Sequence, residues 1–192
     1  MAEPLADRVI QRIGQAAELY HRLVMLVAPA GSGKTAALQE VHERMAAPLI
    51  NVNLELSRRM LDLTARQRTL QLPRLLQEIV GAFAADVVLL DNIEILFDIS
   101  LKQDPLRLLQ GLSRNKTVVA AWSGEIRAEG QGLRTDLDTS SDSSLITHHS
   151  SLYLVYATPD HPEYKRYPLR DLIYVWESNV ERQALGGASV KD

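Results

Sequence analysis

Eight consecutive residues, Ala28-Pro29-Ala30-Gly31-Ser32-Gly33-Lys34-Thr35, combine small, flexible and cationic side chains in an order that suits phosphate. An apolar run, Leu23-Val24-Met25-Leu26-Val27, precedes them, and a helical pattern follows. A strand that delivers the chain to a tight glycine turn aims backbone N–H groups at one point. The positive end of the next helix faces the same point. In such a loop Lys34 would reach the β- and γ-phosphates, and the Thr35 hydroxyl would ligate Mg²⁺. The expected ligand is a nucleoside triphosphate, with ATP as the representative.

The usual pattern is G-x-x-x-x-G-K-[ST], and Ala28 stands where its first glycine would be. Alanine is acceptable there if φ stays negative, and Pro29 biases Ala28 toward an extended backbone. Downstream, Val87-Val88-Leu89-Leu90-Asp91 reads as a buried parallel strand with a carboxylate at its carboxyl end. Open α/β sheets bind ligands at that end. Asp91 is therefore expected to hold Mg²⁺, directly or through water.

Hydrolysis needs a group that orients or deprotonates water. Asn92 follows Asp91, and the next acid is Glu94. A turn into helix after Asp91 would let Glu94 face the phosphate as a base. A strand continuing through Asn92 would leave Glu94 to cap or pair locally.

These residues require elements to position them. Leu5, Val9, Ile13, Ala16 and Tyr20 line one face of a predicted helix over residues 5–22. A strand is predicted at 23–28. A helix with Leu38, Val41 and Met45 on one side follows the loop and stops at Pro48. Leu49–Leu54 alternates apolar residues with Asn51 and Asn53, which suits a half-solvated strand. Ser57 is placed to cap a short helix containing Met60 and Leu61. Pro73 suits the first turn of another, with Leu75, Leu76, Ile79, Val80 and Phe83 as its apolar face. Asp104-Pro105 reads as cap and first residue of a helix through Leu112, ended by Asn115. Strands are predicted at 117–122 and 152–157. Leu169–Trp176 fits strand or helix. Residues 127–151 read as a polar loop or insertion, and 186–192 as a flexible tail.

One strand lies between the loop and Asp91, and one follows Asp91. Additional-strand P-loop NTPases, including the AAA-like ATPases, have this layout. In that class the strand after the acidic motif inserts between the two motif strands, and its tip carries a polar sensor of the γ-phosphate. Ser123 occupies that tip, where it could equally be a turn residue before Gly124. Arg114 lies just before the same strand, near where AAA-like relatives place arginine fingers offered to a neighbouring subunit. The arginines at 58, 59, 66, 68 and 74 form either a solvated helical face or a partner or nucleic-acid contact. The fold class expected is α/β: a three-layer P-loop NTPase core, AAA-like, with a mostly parallel sheet and no clear helical lid.

A chain of 192 residues is most simply one domain, 1–192. It contains no cysteine, which excludes disulfides and thiolate chemistry. No apolar run reaches the roughly 18–20 residues that a membrane span needs. Met1–Asp7 is mixed and acidic rather than basic then apolar, so no signal peptide is expected and the cytoplasm is favoured. A net charge of −3 gives no global nucleic-acid footprint, so direct DNA binding would need a local patch. His148-His149 lack ligand spacing.

Three longer runs carry a resemblance: Asn51 to Arg59, Leu89 to Asp98, and Gln103 to Asn115. With His161-Pro162-Glu163-Tyr164-Lys165-Arg166-Tyr167 they resemble BrxF, the family of small P-loop proteins in type-three BREX (bacteriophage exclusion) defence systems. The resemblance implies a cytoplasmic prokaryotic protein working with other defence components, including a DNA methyltransferase and larger ATPases. It transfers the phosphate role to Gly31, Gly33, Lys34 and Thr35, and the metal role to Asp91. The expected activity is ATP binding with hydrolysis, in a homo-oligomer or docked on other BREX components. The competing expectations are a non-hydrolysing nucleotide switch or scaffold and, behind it, a small-molecule kinase.

Overall fold

The computed structural model describes residues 3–129 and 152–177. The expected tail at 186–192, His148-His149 and residues 130–151 of the expected polar loop lie outside the described residues.

Helix α1 (Leu5–Ala16) buries Ala6, Val9, Ile13 and Ala16 at steps of three and four. It ends earlier than predicted, and Tyr20, assigned to its apolar face, is 73% exposed. The chain needs the turn after Ala16 to enter strand β1 (Leu23–Ala28), in which every residue is buried. The loop follows, then α2 (Lys34–Met45). That helix ends with Ala46 in the left-handed region (φ 53°), ahead of Pro48. Met45 lies at the surface.

The strand predicted at 49–54 is shorter: β2 is Leu49–Asn51. Asn51 Oδ1 accepts from the Leu54 N–H at 3.0 Å, which caps and starts α3 (Val52–Met60). Ser57, expected as a cap, sits inside α3. Helix α4 (Ala65–Gly81) starts with a reciprocal capping box between Thr64 and Gln67. Pro73 is therefore in the helix interior, not its first turn. Proline has no N–H, so the Thr69 carbonyl one turn back loses its helical partner. The Gln103 side chain replaces it, with Nε2 donating to that carbonyl at 2.8 Å. Phe83, expected on the apolar face, is exposed beyond the helix.

Strand β3 (Val87–Asp91) leads to a 3₁₀ helix at Ile93–Phe97 and a second short one at Ile99–Leu101. Asp104 caps α5 (Pro105–Leu112) through the Arg107 N–H at 3.0 Å, with Pro105 first, as its sequence predicts. The helix ends at Leu112, before Asn115. Strands β4 (Thr117–Ser123), β5 (Glu125–Ala128), β6 (Leu152–Tyr156), β7 (Lys165–Pro168) and β8 (Ile173–Trp176) complete the described chain. Arg127 and Ala128, assigned to the polar loop, thus belong to a strand. Strand, not helix, is the form of 173–176.

Five strands form one parallel sheet in the order β2-β3-β4-β1-β8. Strand β4 inserts between β1 and β3. Because side chains alternate faces, β1 sends Val24 and Leu26 to one side and Leu23, Met25 and Val27 to the other. Helices α1 and α2 cover the first side. Helices α3, α4 and α5 cover the second, with a small antiparallel sheet, β5-β6-β7. The result is an α/β fold of three layers. No helix among the described residues is long and apolar enough to cross a membrane.

Candidate functional site

The carboxyl ends of β3, β4 and β1 are adjacent, with Ala28 level with Ser123 and Asn51 level with Asp91. The loop leaves β1 at this edge. Gly31 (φ 73°) and Gly33 (φ 88°) occupy the left-handed region, where a side chain is disfavoured. Ala28 stays in the strand, so no glycine is needed there. The Ser32 hydroxyl donates to the Pro29 carbonyl at 2.5 Å and tightens the turn.

Lys34 is the first residue of α2 and is buried. Its ammonium folds back over the loop, donating to the Ala28 carbonyl at 3.0 Å and the Pro29 carbonyl at 2.8 Å. An ammonium has three donors, and the third has no partner among the described residues. Burial lowers the Lys34 pKa, while the nearby Glu94 and Asp91 carboxylates oppose that shift. Thr35 Oγ1 donates to Asp91 Oδ2 at 2.8 Å, which joins the start of α2 to the end of β3.

Asn92 decides where Glu94 goes. It adopts φ 50°, a left-handed turn that asparagine tolerates. The chain leaves the strand there and winds into the 3₁₀ helix, so Glu94 turns back toward β4. Ser123 Oγ donates to Glu94 Oε1 at 2.6 Å. Ala30, Gly31, Ser32, Gly33, Lys34, Thr35, Asp91, Glu94 and Ser123 line one cavity of about 690 Å³, within the usual size of ligand pockets; Ala28 and Pro29, also expected to bind phosphate, do not line it and instead accept from Lys34.

Arg114 is not part of this cavity. It precedes β4, at the opposite end of the sheet, with its guanidinium 5.8 Å from the Tyr20 ring centre. A strand the length of β4 separates it from Ser123, about 20 Å at ~3.3 Å per residue.

Three contributors had little or no sequence signal. Asn92 acts through its backbone. Phe97, three residues past Glu94 on the 3₁₀ helix, stacks on Tyr156 of β6 with ring centres 3.6 Å apart. Burial first, then Glu163 and Glu94, push the Tyr156 phenol up to about 12. Tyr156 is far from Glu94 in sequence, and no local pattern links them. Gly124 is the third: a Cβ there would collide with the Val155 carbonyl oxygen and crowd Trp122 Nε1.

The donor set fits a phosphate chain with a divalent cation: a buried ammonium, a glycine turn at a helix start, and a hydroxyl–carboxylate pair. Among the described residues no cluster of three or more His, Cys, Asp or Glu could hold a metal by itself. A scan against protein-family models finds no match to this chain, and a search of curated proteins finds none either.

Proposed function

We propose that this protein binds ATP with Mg²⁺ and hydrolyses it, as an AAA-like P-loop NTPase. The observation that carries the proposal is the gathering of Lys34, Thr35, Asp91, Glu94 and Ser123 in one cavity at three adjacent strand ends. The insertion of β4 between β1 and β3 supports the additional-strand class.

In this proposal the loop N–H groups and Lys34 bind the phosphates. Thr35 and Asp91 would hold Mg²⁺, which neutralises phosphate charge when bound. Glu94 accepts the proton of the attacking water. Ser123 holds the Glu94 carboxylate at the cavity wall. The cavity is open, and Arg114 lies at the far end of the sheet, so closure by a neighbouring copy or a larger partner completes the site. The resemblance to BrxF supports work within a cytoplasmic anti-phage assembly.

A second reading is a nucleotide-dependent switch that does not turn over. Asn92 directly after Asp91, and a Glu94 already engaged by Ser123, favour it. Phosphate release by purified wild type beside Lys34→Ala, with and without DNA and defence partners, tests the proposal. Turnover lost in the variant supports hydrolysis. ATP binding without turnover under every condition supports the switch, and no ATP binding overturns both.

A further inference from the structure

The polar side chains that line the phosphate-site cavity with Asn92 are already engaged. Ser32 and Lys34 donate to loop carbonyls, Thr35 to Asp91, and Ser123 to Glu94. Gln39 donates to Glu43 at 3.2 Å. Asn92 is the exception. It lines the same cavity and is exposed, and its carboxamide makes no hydrogen bond among the described residues.

That amide is mounted on a fixed backbone. The Asn92 carbonyl accepts the Asn53 N–H at 3.0 Å, which ties it to the start of α3. The next residue, Ile93, is 1% exposed and anchored in the core. Asn92 itself is held at φ 50° and ψ 56°. Glycine adopts that turn with less strain, and aspartate tolerates it as asparagine does. The turn alone therefore does not require a carboxamide. In the chain Asn92 stands between Asp91, whose carboxylate meets Thr35, and Glu94, whose carboxylate meets Ser123. A third carboxylate here would repel both of these, and a phosphate chain with them. An amide is neutral and carries both donor and acceptor.

We propose that the Asn92 carboxamide is a catalytic group that orients the attacking water against the γ-phosphoryl group. The inference rests on the ATP-hydrolysing reading above. Nδ2–H donates to a γ-phosphoryl oxygen, and Oδ1 accepts one O–H of the water. Glu94 accepts the proton of the other O–H as the water oxygen bonds to the γ-phosphorus. The bond from that phosphorus to the β–γ bridging oxygen breaks, leaving ADP and phosphate. A donor aimed at charge that develops in the transition state lowers the barrier more than it tightens substrate binding. Holding the water in line adds to this. The role therefore shows in kcat and not in ATP affinity.

The test compares full-length wild type with Asn92→Gly and Asn92→Asp, with circular dichroism to check that both variants are folded. Glycine removes the amide without adding charge. Aspartate keeps the side-chain length and the left-handed turn but has no N–H. A loss common to both therefore belongs to the amide. Phosphate release is expected to fall about 10²-fold in each variant, with ATP affinity of Asn92→Gly within about threefold of wild type. Aluminium fluoride, which mimics the phosphoryl group in transfer, is expected to tighten wild-type binding of ADP with Mg²⁺ and to lose about tenfold or more of that gain in both variants. Wild-type kcat in either variant overturns the proposal: loss in Asn92→Asp alone would be a charge effect, and loss in Asn92→Gly alone a backbone effect. Where wild type releases no phosphate but gains affinity from aluminium fluoride, retention of that gain in either variant overturns it. A wild type that binds ATP, never releases phosphate and gains nothing from aluminium fluoride overturns the hydrolysis reading and this inference together.

Discussion

The Ser123 hydroxyl donates a 2.6 Å hydrogen bond to Glu94 Oε1, so the tip of β4 holds the acid that follows β3. The two residues are 29 positions apart and meet because β4 lies directly beside β3. If Glu94 is the base, Glu94→Gln lowers phosphate release by about 10²-fold or more. ATP affinity should stay within about threefold of wild type, because the loop and Lys34 are untouched. Ser123→Ala keeps the carboxylate but frees it, and should cost about tenfold. Steady-state phosphate release beside nucleotide titration measures both, and wild-type turnover in Glu94→Gln would put the base elsewhere.

The Thr35–Asp91 bond concerns the cation. Replacing Thr35 with Ala or Asp91 with Asn should remove the Mg²⁺-dependent part of ATP binding and leave the metal-free part. Ligand at about 100-fold over its Kd adds ~2.7 kcal/mol of stability. Thermal shifts with ATP, with and without Mg²⁺, should therefore differ clearly in wild type and coincide in both variants.

Gly124 is a steric requirement. Trp122 Nε1 donates to the Val155 carbonyl at 3.1 Å directly over it, and an alanine Cβ would collide with that carbonyl. Gly124→Ala should cost about 2–4 kcal/mol, from overpacking and a strained buried hydrogen bond. Urea denaturation gives the loss, and a red-shifted Trp122 emission in the folded variant would locate it.

Pro73 predicts a coupled pair. Gln103→Ala leaves the Thr69 carbonyl without its replacement donor and should cost about 1 kcal/mol. In a Pro73→Ala background the helix supplies its own N–H, so the cost of losing Gln103 should shrink. A double-mutant cycle in urea reads the difference.

Tyr156 gives a pH dependence with a fixed sign. Its folded pKa is about 12, against an ordinary value of 10.0. Between those values the folded state binds more protons than the unfolded, so stability falls as pH rises from about 10. Below about 10 the contribution is fully present. Tyr156→Phe should reduce this alkaline loss without abolishing it, because burial and Asp104 also push the Tyr167 phenol up; urea midpoints at about pH 9.5 and 11.5 give the comparison.

Several elements were legible because their signals are local. The apolar run into β1, the apolar run ending at Asp91, and Asp104-Pro105 opening α5 each encode an element within a few residues. Misreadings arose where one residue suits two structures. Asn51 continues an alternating strand and also caps a helix, and its hydrogen bond to the Leu54 N–H selects the cap. Pro73 suits a first turn, but the capping box at Thr64 starts the helix earlier, and Gln103 makes an interior proline tolerable.

By itself the sequence determined the strand–glycine turn–helix with its lysine and threonine, and the carboxylate at the end of β3, because strand–turn–helix chemistry is written in adjacent residues. Tertiary structure alone decided the rest. The order β2-β3-β4-β1-β8 brings Ser123 to Glu94 and sets Arg114 at the opposite end of the sheet. The short polar strand β7 forms by pairing with β6. Tyr156 meets Phe97 only because the small sheet packs on the 3₁₀ helix. Such contacts depend on which strands lie side by side, and no short window of sequence contains that.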